Sequence, residues 1–430
     1  MSQIADKTKK FYDLLHKEVV PAVGCTEPIA LALCVAKARE VLGEMPDKIE
    51  ILCSLNIYKN GMGVGIPGTS ITGLPIAAAL GAIAGRADKE LEVLSGVKAF
   101  HEEAAKTFLA NEGVSIAIKE NCDKLYVEAI CTKGQNKSCS IIQGSHKNFV
   151  YITHNEEVLL DVRIPTKEEQ EGPKMYDLTI DDIYDFALNE PLDKIRFILE
   201  YAMINKRLAD YGIANKSGMG IGANLLDWIN KNKLHQDYSN YAMALTAAAS
   251  DARMSGCLLP AMSNSGSGNQ GITAMVPVLA IAEKIGASNE KLIRALILSN
   301  LTVIHIKQGF GRLSAACGCV VASTGAACGV CYLLGGNREQ IKYSIKNMIG
   351  NLAGMVCDGA KLGCALKVAS GTSAAIQSAI LALHNVYVPD NNGIIEKDIE
   401  NSIRNLGLIA NKAMVEADRV ILDIMTHKSK

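Results

Sequence analysis

Three cysteines in the second half of the chain have the residue type and the spacing of a metal-cluster site. Cys317 opens an uncharged run rich in alanine and glycine, while Cys357 and Cys364 bound the segment Cys357-Asp-Gly-Ala-Lys-Leu-Gly-Cys364. Separations of 40 and 7 residues do not fit a zinc knuckle, whose paired cysteines lie about two to four residues apart. They fit better a cluster held by three cysteines from distant helix ends.

The residues around these cysteines predict helix termini that favour thiolates. Asp358 is predicted to cap a helix that carries Lys361, Cys364 and Lys367. Cys357 would then lie at the positive end of that helix with Lys361 nearby, and both effects favour its thiolate. Cys317 is predicted to join from the start of the uncharged helix.

Other cysteines compete for the same role. The total of 13 is odd and no secretory context is visible, which argues against a disulfide framework. Cys319 lies two residues from Cys317, and Cys328 and Cys331 share a helix face. Apolar neighbours favour packing for Cys328 and Cys331, but the sequence leaves the roles of all three open.

A fourth cysteine, Cys25, lies in the segment Gly24-Cys-Thr-Glu-Pro28. Pro28 suits the first turn of a helix that is predicted to run to about Leu42. Cys25 therefore lies just before a helix N-terminus, where the dipole and the free amides stabilise a thiolate.

Two glycine-rich loops offer backbone amides to an anion. The loop at 59–69 has four glycines between Gly61 and Gly68, and a helix is predicted from about Leu74. The loop Asn264-Ser-Gly-Ser-Gly-Asn-Gln-Gly271 precedes another helix and suits a carboxylate or phosphate. A capped interhelical turn explains the second loop equally well.

Composition and charge exclude several classes of protein. A chain of 430 residues with 49% hydrophobic and 21% charged residues is expected to fold as a globular protein of two domains. A net charge of −1 gives no electrostatic case for nucleic acid or for a membrane surface. No signal peptide is visible, and the uncharged stretches Gly61–Gly85 and Leu313–Asn337 favour buried helices and a glycine-rich loop over membrane spans. We expect a cytoplasmic protein.

The periodicity of apolar residues predicts an α/β N-terminal domain and an all-α C-terminal domain. The first part is predicted to hold helices at 5–20, 28–42 and 97–111, and strands at 49–58, 114–119, 125–132, 139–143 and 149–154. Ten helical segments are predicted between residues 179 and 425, with no convincing strand. Charged Thr166–Lys174 is the best linker, so we divide the chain into domains 1–170 and 171–430.

Three thiolates would leave one iron of a four-iron cluster open as a Lewis acid, which suits β-elimination from a small amino acid. The chain resembles the iron–sulfur L-cysteine desulfidases, which are related to the iron–sulfur L-serine dehydratases. The resemblance rests on 311–367, Gly24–Pro28, the loop at 59–69 and the Ser-Gly-Ser-Gly-Asn-Gln stretch. It implies that L-cysteine is converted to pyruvate, ammonia and hydrogen sulfide, with domains like the β and α parts of a serine dehydratase.

The resemblance also implies roles for individual residues. Cys317, Cys357 and Cys364 would hold a [4Fe-4S] cluster, and Cys25 would be catalytic. From the sequence we also expect Lys361 to be catalytic, and it remains open whether Lys361 and Lys367 bind the substrate carboxylate or balance thiolate charge. Cys25 would be the base or a fourth, displaceable ligand. We expect the substrate to be bound by Thr26, Glu27, Lys59, Asn60, Thr69, Ser265, Ser267 and Asn269.

Two departures from the serine dehydratases affect these roles. No cysteine follows Cys364, so the C-terminal cysteine that some of them place on the cluster is absent. Cys25 also lies where they carry a Ser-His-Thr motif, and the missing histidine leaves the proton acceptor open.

Three other functions remain open at this stage. An L-serine dehydratase would use the same chemistry with a hydroxide leaving group, although a thiophilic open iron favours cysteine. A thiol-rich redox or metal-sensing protein would bind a cluster or zinc without turnover. A pyridoxal-phosphate enzyme is suggested by the Ser265–Gly271 loop alone. His305 is predicted to be a core histidine. The long apolar helices favour a homodimer. The expected substrate is a small amino acid.

Overall fold

The computed structural model describes residues 2–69, 71–163, 178–311 and 314–427. Its first part combines helices with a mixed sheet, and its second part is mostly helical, which confirms the predicted fold class. The predicted linker at 166–174 and the domain boundary near residue 170 lie outside the described residues, so the division into domains stays a prediction.

The first part alternates helices and strands. The helices are α1 (Ser2–Glu18), α2 (Thr26–Leu42), α3 (Leu55–Gly61), α4 (Leu74–Ile83) and α5 (Ala99–Ala110). The strands are β1 (Pro21–Ala22), β2 (Lys48–Cys53), β3 (Val114–Ile118), β4 (Tyr126–Lys133), β5 (Asn136–Gln143), β6 (Phe149–His154) and β7 (Glu157–Asp161). Six of them form a sheet in the order β3-β2-β4-β5-β6-β7, in which β2 and β3 are parallel and the other pairs antiparallel.

The second part is built from helices and one two-residue strand. In chain order these are α6 (Ile180–Asn189), α7 (Leu192–Ile195), α8 (Phe197–Ala214), α9 (Ile221–Asn230), α10 (Tyr238–Met254), β8 (Ala261–Met262), α11 (Gly268–Ile285), α12 (Asn289–Phe310), α13 (Gly318–Leu333), α14 (Arg338–Leu352), α15 (Cys364–Leu383), α16 (Ile399–Leu408) and α17 (Val415–Thr426). A π-helical turn, Ile409–Ala413, joins the last two helices.

Buried and less buried side chains alternate along β4, and this pattern sets which face of the sheet packs against the helices. Val127, Ala129 and Cys131 are separated by one residue each, so their side chains point to the same face. All three are fully buried in the core that α2 and α4 form with the sheet. Cys131 is therefore a small apolar core residue in this part of the chain.

One predicted strand is too long. The strand predicted at 49–58 ends at Cys53, because Ser54 caps a helix: its Oγ accepts the Ile57 N–H at 3.3 Å. Helix α3 then contains Lys59 and Asn60, which the sequence analysis placed in the glycine-rich loop. The edge strand β7 has no counterpart among the predicted strands.

Helix α1 belongs to the core of the helical part. Its apolar residues Phe11, Leu14 and Leu15 are buried in one cluster with Phe186 and the apolar faces of α11 to α13. The chain then forms a two-residue antiparallel ladder, in which Pro21 pairs with Met262 and Ala22 with Ala261. This ladder holds the residues before Cys25 beside the residues before Ser265.

The uncharged stretches form buried helices, as predicted. Gly61–Gly85 contains α4 and Leu313–Asn337 contains α13, and both helices are buried along most of their length. Among the described residues, one helix, Cys364–Leu383, is long and apolar enough to cross a membrane, and 56% of its apolar window is buried inside the protein. A single helix of this kind is weak evidence for a membrane span, because core helices pass the same test.

Candidate active site

A short backbone bridge brings Cys317 and Cys357 together. Ala316 and Val356 pair in antiparallel fashion, the Cys317 N–H donates to the Met355 carbonyl at 2.9 Å, and the Cys357 N–H donates to the Ala315 carbonyl at 2.6 Å. Cys317 is also the N-cap of α13, close to its predicted place at the start of that helix. Two cysteines 40 residues apart in sequence thus lie on paired segments.

The third cysteine, Cys364, is the first residue of α15. The prediction that Asp358 caps this helix is therefore wrong, and Cys364 rather than Cys357 lies at the helix N-terminus. Asp358 instead forms ion pairs with Lys361 and Lys367. Burial acts to raise the pKa of Asp358, but the hydrogen bonds and charges of the two lysines outweigh it and lower the pKa to about 2.

Burial acts against ionisation of two of the three cysteine thiols. Burial, followed by the negative charge of Cys357, raises the pKa of Cys317 to about 12, and burial also raises the pKa of Cys364. Helix dipoles and the nearby lysines therefore do not bring the pKa of Cys317 or Cys364 below its ordinary value. A metal that binds these thiols has to displace their protons.

The glycine-rich loop of the first part packs against the Cys357–Cys364 segment. Gly63 forms a parallel bridge with Lys361. Gly359 has φ +89°, and a Cβ atom there would lie 2.4 Å from the Lys59 carbonyl oxygen, so only glycine fits. The amides of Gly65, Ile66, Thr69 and Gly73 are bonded to backbone carbonyls, and Thr69 is turned to its own loop. The loop therefore joins the two parts and does not offer these amides to an anion.

Lys59 is buried beneath the site. It is 1% exposed, pairs with the Asp418 carboxylate from α17, and donates to the Cys357 carbonyl at 3.2 Å. Asn56 donates to the other oxygen of Asp418 at 3.1 Å. Lys59 was predicted to bind substrate. In the structure its ammonium group instead pairs with Asp418 and contacts the backbone of Cys357.

Cys25, Thr26, Glu27 and Asn60 form one buried hydrogen-bond network. Cys25 Sγ donates to Glu27 Oε2 at 3.0 Å, and Asn60 Nδ2 donates to Glu27 Oε1 at 2.9 Å. Thr26 Oγ1 lies 3.0 Å from both Glu27 Oε2 and the Gly266 carbonyl oxygen. The Glu27 carboxylate is the centre of this network.

The charge states in this network differ from those predicted. Burial and the charge of Glu27 raise the pKa of Cys25 well above its ordinary value, although Arg253 acts in the opposite direction. Burial also acts to raise the pKa of Glu27, but the charge of His146 and hydrogen bonds from Cys25 and Asn60 bring it below its ordinary value. The ionised group is therefore Glu27, and Cys25 is a thiol that donates to it.

A single pocket, with an empty volume of about 790 Å³ including its mouth, collects most of the predicted residues. The predicted residues that line it are Cys25, Glu27, Asn60, Ser265, Ser267, Asn269, Cys317, Cys357 and Cys364. Those outside its lining are Thr26, Lys59, Thr69 and Lys361.

The pocket also holds residues that the sequence analysis did not select. They are Arg253, Gln270, Lys307, Ser314, Cys319 and Lys367, of which the first two come from α10 and α11. Cys319 Sγ donates to the Lys367 carbonyl at 3.1 Å, so its hydrogen atom is directed to α15. Gln270 follows the selected Asn269 directly in the same loop, and that position was a usable signal for it. Arg253 stands in an alanine-rich helix and gave no such signal.

The remaining cysteines and the predicted core histidine lie away from the pocket lining. Cys328 and Cys331 are fully buried in the helical core. His305 is 2% exposed, and its Nε2 lies 2.7 Å from Glu400 Oε2. Its burial and partner confirm the prediction of a core histidine.

The pair Lys59–Asp418 should contribute strongly to stability, since breaking it leaves a buried charge without a partner. Lys59→Met is expected to lower the free energy of unfolding by roughly 3–5 kcal/mol, measured by urea denaturation. Adding Asp418→Leu should recover much of this loss. As a control, Lys37→Met breaks a surface pair with Glu40 and should cost less than about 1 kcal/mol. Equal losses in the two single variants would contradict the assignment.

Comparisons with known proteins agree with this architecture. The family model described as the serine dehydratase alpha chain matches residues 88–423. A UPF0597 protein of Bacteroides thetaiotaomicron is 51% identical over 99% of both chains. The UPF0597 protein of Oleidesulfovibrio alaskensis is 47% identical over 97% of this chain and 98% of its own length. That of Alkaliphilus oremlandii is 47% identical over 96% of both chains. A match over most of the chain, together with these full-length relatives, establishes that this protein belongs to the serine dehydratase alpha chain family.

Proposed function

We propose that this protein is a cytoplasmic lyase that converts L-cysteine to pyruvate, ammonia and hydrogen sulfide. The observation that carries the proposal is one pocket lined by Cys317, Cys357 and Cys364 together with the Cys25–Glu27 pair. Family membership supports β-elimination from a small amino acid. The choice of cysteine as substrate and of an iron–sulfur cluster as cofactor is our inference.

The donor set fits a [4Fe-4S] cluster. Cys317, Cys357 and Cys364 would hold it, because iron–sulfur clusters are bound through cysteine thiolates. Within the described ranges, no group of three or more His, Cys, Asp or Glu side chains is placed to hold a metal ion. When bound through three cysteines, such a cluster supplies one open iron as a Lewis acid.

Glu27 has the properties of the proton acceptor. It is buried in the pocket wall, and its pKa is lowered by His146, Cys25 and Asn60 despite burial. An ionised carboxylate held by three side-chain donors is oriented to take the α-proton of an amino acid. Cys25 donates to the same oxygen as Thr26 and positions the carboxylate.

Lys361 has a different place from the catalytic role predicted for it. It does not line the pocket, and its side chain pairs with Asp358. Lys367 binds the same carboxylate and donates to the Val356 carbonyl at 2.7 Å. We propose that both lysines fix the segment between Cys357 and Cys364.

The overall reaction balances without an external oxidant or reductant. The α-proton passes to Glu27, and the electron pair of the broken carbon–sulfur bond leaves with the sulfur. The remaining aminoacrylate tautomerises and takes up water, which yields pyruvate and ammonia. The pocket residues thus need to bind the amino acid, accept one proton and release sulfide.

L-Serine is the second candidate substrate, because the matching family model describes a serine dehydratase chain. The same pocket and the same proton acceptor would serve either substrate. The leaving group alone differs, being hydroxide for serine and sulfide for cysteine.

Comparing the two substrates tests the proposal directly. Anaerobically reconstituted protein is expected to release equal amounts of sulfide and pyruvate from L-cysteine, and less pyruvate from L-serine, in coupled colorimetric assays. Pyruvate from serine with none from cysteine would assign serine dehydratase activity instead. Bound iron without turnover of either substrate would favour a sensor or redox protein.

Replacing each cluster cysteine tests the cofactor. Cys317→Ala, Cys357→Ala and Cys364→Ala are each expected to lower bound iron and the visible absorbance of the cluster, because each removes one protein ligand. Iron analysis and anaerobic absorption spectra provide the measurement. Cys122→Ala, in the first part of the chain and outside the pocket lining, is the matched control. Unchanged iron content in all three variants would rule out this ligand set.

Glu27→Gln tests the proton acceptor while keeping the shape of the side chain. Turnover is expected to fall by about 10²–10⁴-fold, the range for loss of a general base, while bound iron stays constant. Glu40→Gln, an exposed substitution on the same helix, should keep full turnover. Activity within a few-fold of wild type in Glu27→Gln would assign the proton to another group.

A further inference from the structure

We propose that Arg253 binds the α-carboxylate of the substrate and that the side-chain oxygen of Gln270 accepts a hydrogen bond from its α-ammonium group. The inference deepens the proposed function and rests on it for the identity of the amino acid. Neither residue was assigned a role from the sequence, and each has a buried polar atom without a hydrogen-bond partner.

Arg253 carries a buried positive charge that lacks a counter-ion. It lies in the last turn of α10 and is 3% exposed, yet it lines the pocket. Its Nη2 donates to the Gly24 carbonyl at 3.0 Å, and its Nε has no hydrogen-bond partner. No salt bridge to Arg253 exists within the described part of the chain. A buried charge without a partner is costly, so an anion is expected to complete the site.

The acidic residue of the pocket does not supply that anion. Among the described residues that line the pocket, Glu27 is the only acidic one. Its two oxygens accept from Cys25, Thr26 and Asn60. Arg253 is thus left for a ligand.

The N-terminus of α11 lies against the guanidinium group of Arg253. A Cβ atom on Gly268 would lie 2.3 Å from Arg253 Nε, so the first turn of α11 packs directly against the guanidinium group. Ser267, the N-cap of this 18-residue helix, makes no side-chain cap hydrogen bond. The free amides and the positive end of the helix dipole add to the charge of Arg253. Both features favour a carboxylate.

Acceptors for an ammonium group line the same pocket. Gln270 is 4% exposed, and its Oε1 has no hydrogen-bond partner. The Oδ1 atoms of Asn60 and Asn269, which line the same pocket, also have none. Gln270 packs beside Gly318, where a Cβ atom would lie 3.0 Å from its Cδ, and is therefore next to Cys317 in the fold. A guanidinium group and unpaired amide oxygens together match the two charges of an α-amino acid.

Binding of amino acids without a leaving group tests this inference apart from turnover. L-Alanine keeps both charged groups of the substrate, whereas L-alaninamide lacks the carboxylate. Calorimetry on reconstituted wild-type protein is expected to show L-alanine binding roughly 10- to 100-fold more tightly than L-alaninamide, the range for hydrogen bonds to a charged group.

Substitutions of Arg253 and Gln270 are expected to have different effects, because each residue contacts a different charged group of the ligand. Arg253→Gln is expected to abolish the preference for L-alanine over L-alaninamide, with Arg253→Lys retaining part of it. Gln270→Leu should weaken both ligands by a similar factor, since both carry the ammonium group. Arg207→Gln, on the exposed face of α8, is the control and should match wild type.

The outcomes separate this inference from the proposed function. A preference for L-alanine that depends on Arg253, in protein without elimination activity, would support the inference and refute the function. Elimination of sulfide by a protein that binds L-alanine and L-alaninamide equally would refute the inference alone. If Arg253→Gln fails to fold, the comparison of the two ligands on wild-type protein still decides whether the carboxylate is recognised.

Discussion

The pairing of residues 315–317 with 355–357 is the constraint on which the pocket depends. Two backbone hydrogen bonds bring together cysteines that the intervening helices α13 and α14 carry apart. The chain leaves along α13, returns along α14, and closes at the bridge between Ala316 and Val356. Backbone pairing sets the positions of Cys317 and Cys357 before any metal binds, so a cluster would meet ligands that are already arranged.

A residue from the first part of the chain also contacts the segment that carries Cys357. Lys59 donates to the carbonyl of Cys357, and its charge is balanced by Asp418 near the end of the chain. Helix α1 packs in the helical core, while α17 lies against α3. The first helix therefore packs against the second part of the protein, and the last helix packs against the first part. The pocket is lined by residues from both parts of the chain.

Much of the architecture could be predicted from local signals. Apolar periodicity predicted helical segments that overlap α6 to α17, although it merged α7 with α8 and α16 with α17 and ended α12 too early. Alternation gave five of the six strands of the sheet. The spacing of Cys317, Cys357 and Cys364 identified residues that line one pocket. The strand predicted at 49–58 failed after Cys53 because a serine cap outweighed a run of residues that suit a strand.

The parts that could not be predicted are long-range contacts. Lys59 contacts Cys357 across 298 residues, and Arg253 contacts Gly24 across 229. Neither residue lies in a pattern that reveals its partner, and Lys59 was assigned to substrate for that reason. The thiolate predicted at Cys25 was not found because the thiol is buried, which the local sequence does not reveal. Its helix terminus is buried beside Glu27, and desolvation outweighs the dipole there.

The π-helical turn between α16 and α17 has a geometric consequence for the buried lysine. The Met414 N–H donates to the Ile409 carbonyl, five residues back, so the turn contains one residue more than an α-helix would need. Each residue of an α-helix advances about 100° around its axis. Without the inserted residue, the whole of α17 would rotate by that amount and carry the Asp418 carboxylate away from Lys59. The phase of the last helix is thus set by a single extra residue.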